Sequence, residues 1–190
     1  MKPHIALMVG HSRSIGTRKD GGAESWDGHE NEWAFNEVLA TKILALLLAK
    51  GIESTIYDSY AGSGYGAAMR WLAKETKADG ITHGVELHFN SAGPNAHGHE
   101  VLYYAGSLKG QQLAIKVNNA LTSHFNTPNR GAKGITRTDR GGEILYLTNY
   151  PMIISEPFFG SSKEDWEATA EKIDELAHAM AEGIEQGIAA

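Results

Sequence analysis

Two short apolar runs, each delivering a histidine near its end, constrain what this chain can fold into. His4-Ile5-Ala6-Leu7-Met8-Val9-Gly10 closes on His11, and Gly84-Val85-Glu86-Leu87 closes on His88-Phe89-Asn90. Each reads as a buried strand with an imidazole at its carboxyl end. In open α/β sheets, ligands bind just beyond the carboxyl ends of the strands. The text between these runs supports such a sheet. From Glu32 to Lys50 the residues Trp33, Phe35, Val38, Leu39, Ile43, Leu46 and Leu47 recur at helical spacing, and Gly51 supplies a stop. Further strands are expected at 52–57, 99–105 and 152–155, with the His88 strand over 81–90. Helices are expected at 65–77, 108–125 and 164–188, with one helical turn at 143–147. Strands that alternate with helices predict a single three-layer α/β domain over residues 1–190, with a mostly parallel central sheet and helices on both faces. Two long segments, 11–31 and 126–142, read as irregular loops that frame a groove at the sheet's C-terminal edge. The stripe Leu44-Leu47-Leu48 reads as core, and Tyr103, Tyr104 and Tyr146 as core and rim packing.

Composition removes several function classes. There is no cysteine, so a metal would have to be held by histidine and carboxylates. The formal charge is −6 and the lysines and arginines form no run, which speaks against a nucleic-acid partner. The longest apolar stretch, Ile43 to Ala49, is far too short for a transmembrane span. Met1-Lys2-Pro3-His4 leads into no signal-peptide h-region, so the expectation is synthesis in the cytoplasm without a signal peptide.

The chemistry-bearing residues gather by position. His11, His88 and Glu156 end predicted strands, and Glu32 opens the first long helix at the far end of the loop that begins with His11. Two histidines and a glutamate are a common zinc set, with the fourth position left to water. His11, Glu32 and His88 supply that set, and Glu156 remains as a carboxylate able to take a proton from the water and pass it to a leaving amine. Alternatives stand beside each choice. Glu24, Asp27, Glu30 and Glu37 lie near Glu32, with Glu30 the fallback ligand; Glu143 and Asp139 compete with Glu156. His97 or His99 could replace a ligand, although these two and His29 read as loop and strand surface.

The chain resembles the zinc-dependent N-acetylmuramoyl-L-alanine amidases of the amidase-3 family. The matching pieces are Gly10-His11, Glu32-Trp33-Ala34-Phe35-Asn36, Leu87-His88-Phe89-Asn90-Ser91, Gly98-His99-Glu100-Val101-Leu102-Tyr103-Tyr104, Asn129-Arg130-Gly131, and the run from Pro151 to Glu156. No piece is specific alone; their order along nearly the whole chain is. The resemblance implies zinc ligands His11, Glu32 and His88, with Glu156 as catalytic acid/base. It implies a peptidoglycan substrate cut between N-acetylmuramic acid and the L-alanine of the stem peptide. Asn90 and Arg130 are the substrate-binding candidates it suggests, Arg130 through a bidentate pair with a stem-peptide carboxylate.

Three departures from the family pattern stand out. Ser12-Arg13-Ser14-Ile15-Gly16 replaces a Gly-rich, Asp-containing loop, Pro157 follows Glu156, and Glu86 stands where serine is usual. Glu86 shares a strand face with His88 and is a candidate to orient a ligand histidine. The absence of a leader makes the chain resemble an endolysin catalytic unit released by another factor more than a secreted autolysin. The rival readings are another zinc amidohydrolase or carboxypeptidase, and a non-catalytic wall-binding module.

Overall fold

The computed structural model describes residues 2–15, 18–93 and 95–189; Gly16 of the departing loop falls outside them. In chain order the elements are β1 (His4–Val9), β2 (Ser14–Ile15), β3 (Arg18–Lys19), α1 (Glu32–Ala49), β4 (Glu53–Tyr57), α2 (Tyr65–Ala78), β5 (His83–Leu87) and β6 (His99–Tyr104). They continue with α3 (Leu108–His124), β7 (Asn129–Ile135), α4 (Gly142–Leu147), β8 (Met152–Glu156), α5 (Lys163–Ala168), a 3-10 turn (Ala170–Lys172) and α6 (Ile173–Ile188). Six strands form one sheet in the order β4-β1-β5-β8-β6-β7. Every neighbouring pair is parallel except β6 with β8. The carboxyl ends of β1, β5 and β8 therefore share one edge, and the amino end of β6 joins them there.

Strand alternation sorts the side chains into two cores. Ile5, Leu7 and Val9 of β1, with Val85 and Leu87 of β5, pack against α1, α3 and α6. Ala6 and Met8, with Met152 and Ile154 of β8, face α2 and α4. Helix α1 starts where Asn31 caps it, its side chain accepting from the Ala34 amide at 3.0 Å, and Gly51 ends it with φ +74°. Its Leu39, Ile43 and Leu47 are fully buried, each contributing about 1.5–3 kcal/mol of hydrophobic stabilisation.

Three readings of the sequence need correction. The segment 126–142 is not irregular throughout: Asn129–Ile135 pairs with β6 as an edge strand, while 126–128 and 136–141 lie outside helix and strand. The closing helix of 164–188 is two helices broken at Thr169, whose φ/ψ of −127°/−54° is not helical. Of the Leu44-Leu47-Leu48 stripe only Leu47 is fully buried; Leu44 is partly covered and Leu48 is 51% exposed. The loop 11–31 keeps its expected place but holds the small β2–β3 hairpin.

Candidate metal centre and catalytic cleft

The loop after β1 returns to the start of α1 and lays Glu32 beside His11. Backbone bonds strap it there: the Glu32 amide donates to the Ala23 carbonyl at 2.9 Å and the Trp33 amide to that of Gly21 at 3.1 Å. Gly22, at φ +72°, makes the turn, and a Cβ on it would stand 2.7 Å from both Glu32 Oε2 and His11 Cδ2. His11 itself has φ +62°, alone among the described non-glycine residues in being positive. A histidine held in that region is worth a functional question.

Glu32 sits at the centre of the constellation, 2% exposed. Its Oε2 lies 3.1 Å from His11 Nε2 and accepts from the Ala23 amide at 3.1 Å. Its Oε1 lies 2.7 Å from His88 Nδ1 and accepts from the Phe89 amide at 3.2 Å. The two imidazoles meet edge to face with centroids 5.1 Å apart. Burial alone would raise the Glu32 carboxyl pKa, but the hydrogen bonds and charges of His11 and His88 outweigh it and hold it well below the usual carboxylate range. Burial likewise works against a charged His88, and is overcome by hydrogen bonds and charge from Glu32 and Glu86, so its pKa lies well above the ordinary value in the metal-free protein.

One potential ligand atom from each of His11, Glu32 and His88 lies within 4.8 Å of the others. Nitrogen and carboxylate donors are those of a zinc site; bound at about 2.0–2.2 Å they stand no more than about 4.4 Å apart, so the trio would close slightly around an ion. A buried carboxylate facing two imidazole nitrogens is also the donor chemistry such a cation neutralises. Glu30, the fallback, lies before the helix cap, with its backbone carbonyl taken by the Ser25 amide at 2.8 Å.

Glu156 ends β8 and lines the same cleft of about 810 Å³ as the three candidate ligands. Desolvation raises its pKa; Glu32 and Glu100 push the same way, while His88 and Arg140 oppose. Its rivals are placed differently. Asp139 accepts from the Thr136 amide at 2.7 Å and fixes its own turn. Glu143 lies on the cleft wall 3.7 Å from Arg70. His29 is exposed and His97 partly so, as expected of surface positions, but His99 is not at the surface. It is fully buried, each ring nitrogen is 3.0 Å from a threonine hydroxyl (Thr127 and Thr122), and desolvation pushes its pKa down to about 4.

Asn90 lines the cleft and its Nδ2 donates to Glu100 Oε1 at 3.2 Å. Arg130 sits at the irregularity where the β6–β7 register shifts. Its Nε donates to Glu100 Oε2 at 2.6 Å, and its guanidinium covers Phe159 at 4.9 Å. Lys133 reaches the same oxygen at 2.5 Å. Sequence reasoning gave Glu100 no role, although the Gly-x-Glu-x-x-Tyr match contained it. It also passed over Asp20, whose Oδ1 lies 3.6 Å from His11 Nδ1 in a loop without periodicity, and over Arg140 on the cleft rim.

The family model described as N-acetylmuramoyl-L-alanine amidase, amidase-3, matches residues 5–186. The chain belongs to the amidase-3 family. Solved amidase and endolysin structures share its fold. The catalytic domain of the CD27L endolysin, which targets Clostridia difficile, superposes with TM-score 0.79 at 24% identity, covering 96% of this chain and 97% of that one. The amidase AmiC2 of Nostoc punctiforme gives 0.81 at 23%, covering 100% and 99%. The CwlD amidase of Clostridioides difficile, solved with the GerS lipoprotein, gives 0.83 at 17%, covering 99% of each. No curated protein sequence matches the chain.

Proposed function

We propose that this amidase-3 chain acts as one catalytic domain, a zinc-dependent hydrolase of the amide between N-acetylmuramic acid and the L-alanine of the peptidoglycan stem peptide. The observation that carries the reading is one cleft lined by His11, Glu32 and His88, whose ligand atoms come within 4.8 Å of one another, and by Glu156. His11, Glu32 and His88 would hold the ion, which when bound supplies Lewis acidity toward the scissile carbonyl and toward water.

The remaining chemistry belongs to the chain. Glu156 takes a proton from the attacking water as the new C–O bond forms, and returns it to the alanine nitrogen as the C–N bond breaks. A carboxyl whose pKa is raised by burial is suited to hold that proton between the two steps. Asn90, which lines the cleft, would contact substrate, and Arg130, which pairs with Glu100 but does not itself line the cleft, would meet a stem-peptide carboxylate. Action is at the cell wall, and no helix among the described residues is long and apolar enough to cross a membrane.

Digestion of purified peptidoglycan tests the proposal. The expected products carry new L-alanine amino termini; loss of product after dialysis against chelator and its return with zinc complete the expectation. New amino termini from other residues would show a peptidase instead. Binding to cell walls with no release of amines, by zinc-loaded protein, would show a wall-binding module. An endolysin role predicts that the chain lyses cells from inside only when co-expressed with a membrane-permeabilising factor.

A further inference from the structure

The unusual glutamate of β5 occupies a specific place. Glu86 precedes His88 by two residues and shares its face of the sheet, on the side of α2 and α4. It is 4% exposed. A buried carboxylate ordinarily has a cation or several hydrogen-bond donors. Among the described residues, no lysine or arginine pairs with Glu86. Its ionisable neighbour is His88, whose Nε2 lies 3.7 Å from Glu86 Oε2. The opposite nitrogen of that ring, Nδ1, is the one held at 2.7 Å by Glu32.

His11 repeats the arrangement. Its Nε2 faces Glu32 at 3.1 Å, and its Nδ1 faces Asp20 Oδ1 at 3.6 Å. Each imidazole thus stands between two carboxylates, with Glu32 common to both and a private acid on the far side. Ligand histidines characteristically give their second ring nitrogen to such an outer carboxylate, which fixes tautomer and orientation.

We propose that Glu86 and Asp20 are positioning residues that hold His88 and His11 by their far nitrogens, so that Nδ1 of His88 and Nε2 of His11 face the ion. The inference rests on the zinc reading above. Separations of 3.6 and 3.7 Å exceed a direct hydrogen bond, so a small side-chain adjustment is part of the inference. Glu86 is the cleaner case, because Asp20 also engages Arg13 at 3.1 Å and the Gly22 amide at 3.3 Å.

The test is zinc affinity of the full chain, measured by competition with a chromophoric chelator, together with the visible spectrum of the cobalt-substituted protein. Glu86→Ala is expected to bind one zinc about 10–100-fold more weakly than the unmodified chain. Glu86→Gln, which keeps an acceptor at the same place, is expected to recover part of that loss and to leave the cobalt band unchanged in position. Asp20→Asn is expected to weaken zinc in the same direction. Should Glu86→Ala not fold, Glu86→Gln and Glu86→Asp carry the comparison. Unmodified protein that binds zinc while the Glu86 variants bind it equally well would overturn the positioning role alone. Unmodified protein that binds no zinc would overturn the metal reading itself. A variant that lowers only the melting temperature of the metal-free protein would make Glu86 a structural residue.

Discussion

Replacing Gly10 by alanine probes the metal centre without substituting any proposed ligand. Gly10 follows β1 and lies against the His88 ring, and a Cβ there would stand 2.4 Å from Cε1, 2.6 Å from Nε2 and 2.7 Å from Nδ1 of His88. Ordinary contact begins at 3.4 Å, so the ring has to retreat by about 1 Å. A zinc–nitrogen bond is about 2.0–2.1 Å, and a shift of that size takes the imidazole out of coordination. Overpacking of this kind costs about 1–3 kcal/mol of stability, or about 2–12 °C in melting temperature for a chain of this size. The loss of zinc affinity should exceed the roughly 10–100-fold expected for removal of an outer partner, since a ligand itself is displaced. Gly21→Ala is the control from the neighbouring loop, where an added Cβ meets Asn31 at 3.5 Å, an ordinary contact. Melting curves of chelator-treated protein and chelator-competition titrations check both quantities. If Gly10→Ala melts within the predicted range yet binds zinc like the unmodified chain, His88 is not a ligand in the way its packing over Gly10 implies.

Three further outcomes can be checked. Glu156→Gln should lower kcat on purified peptidoglycan by about 10²–10⁴-fold while zinc affinity stays within twofold, and an unchanged kcat would remove Glu156 from the chemistry. Metal-free protein should lose stability on both sides of a mildly acidic optimum. The Glu32 carboxyl has a folded pKa below its ordinary 4.5, so its contribution is present above that value and lost as pH falls; the His88 imidazole has one above its ordinary 6.5, so its contribution is present below that value and lost as pH rises through the folded pKa. Melting temperature against pH with and without zinc reads this, and a metal-free profile flat from pH 4 to 9 would refute it. Arg140→Gln removes a cation that favours ionised Glu156, so the acidic limb of the kcat/KM profile should move to higher pH; a shift to lower pH, or none, would mean that Arg140 does not act on Glu156.

Much of this was legible because strands fully buried in the sheet announce themselves as apolar runs. The ends of β1, β5 and β8 follow from those runs, and with them His11, His88 and Glu156. Glu32 stands four residues before Asn36 in the matching piece Glu32-Trp33-Ala34-Phe35-Asn36, and both are buried on one helix face. The edge strand β7 was hidden because Asn-Arg-Gly-Ala-Lys-Gly-Ile has an exposed side and no period of two; its burial comes from one neighbour only. The break at Thr169 carries neither glycine nor proline, and the helical spacing runs through it. Glu100 was overlooked for a topological reason. The expectation that ligands gather at carboxyl ends of strands points away from the amino end of β6, and only the antiparallel pairing of β6 with β8 brings that end to the site.

That pairing also bears on how two glutamates in one cleft could suit the different roles proposed for them. Register sets Glu100 directly across from Glu156, so a second carboxylate faces the proposed acid/base. Arg130 and Lys133 both engage Glu100 and keep its pKa below the usual value, against the effect of its own burial. Glu100 therefore remains an anion, and an anion opposite Glu156 favours the protonated form of Glu156. Glu32, in the same cleft, receives two backbone amides and two imidazoles and is held ionised. A metal ligand must be deprotonated, and a general acid must be able to keep its proton. The same residue type is suited to both proposed roles because one glutamate is given donors and the other is buried, with the like charges of Glu32 and Glu100 adding to the effect of burial.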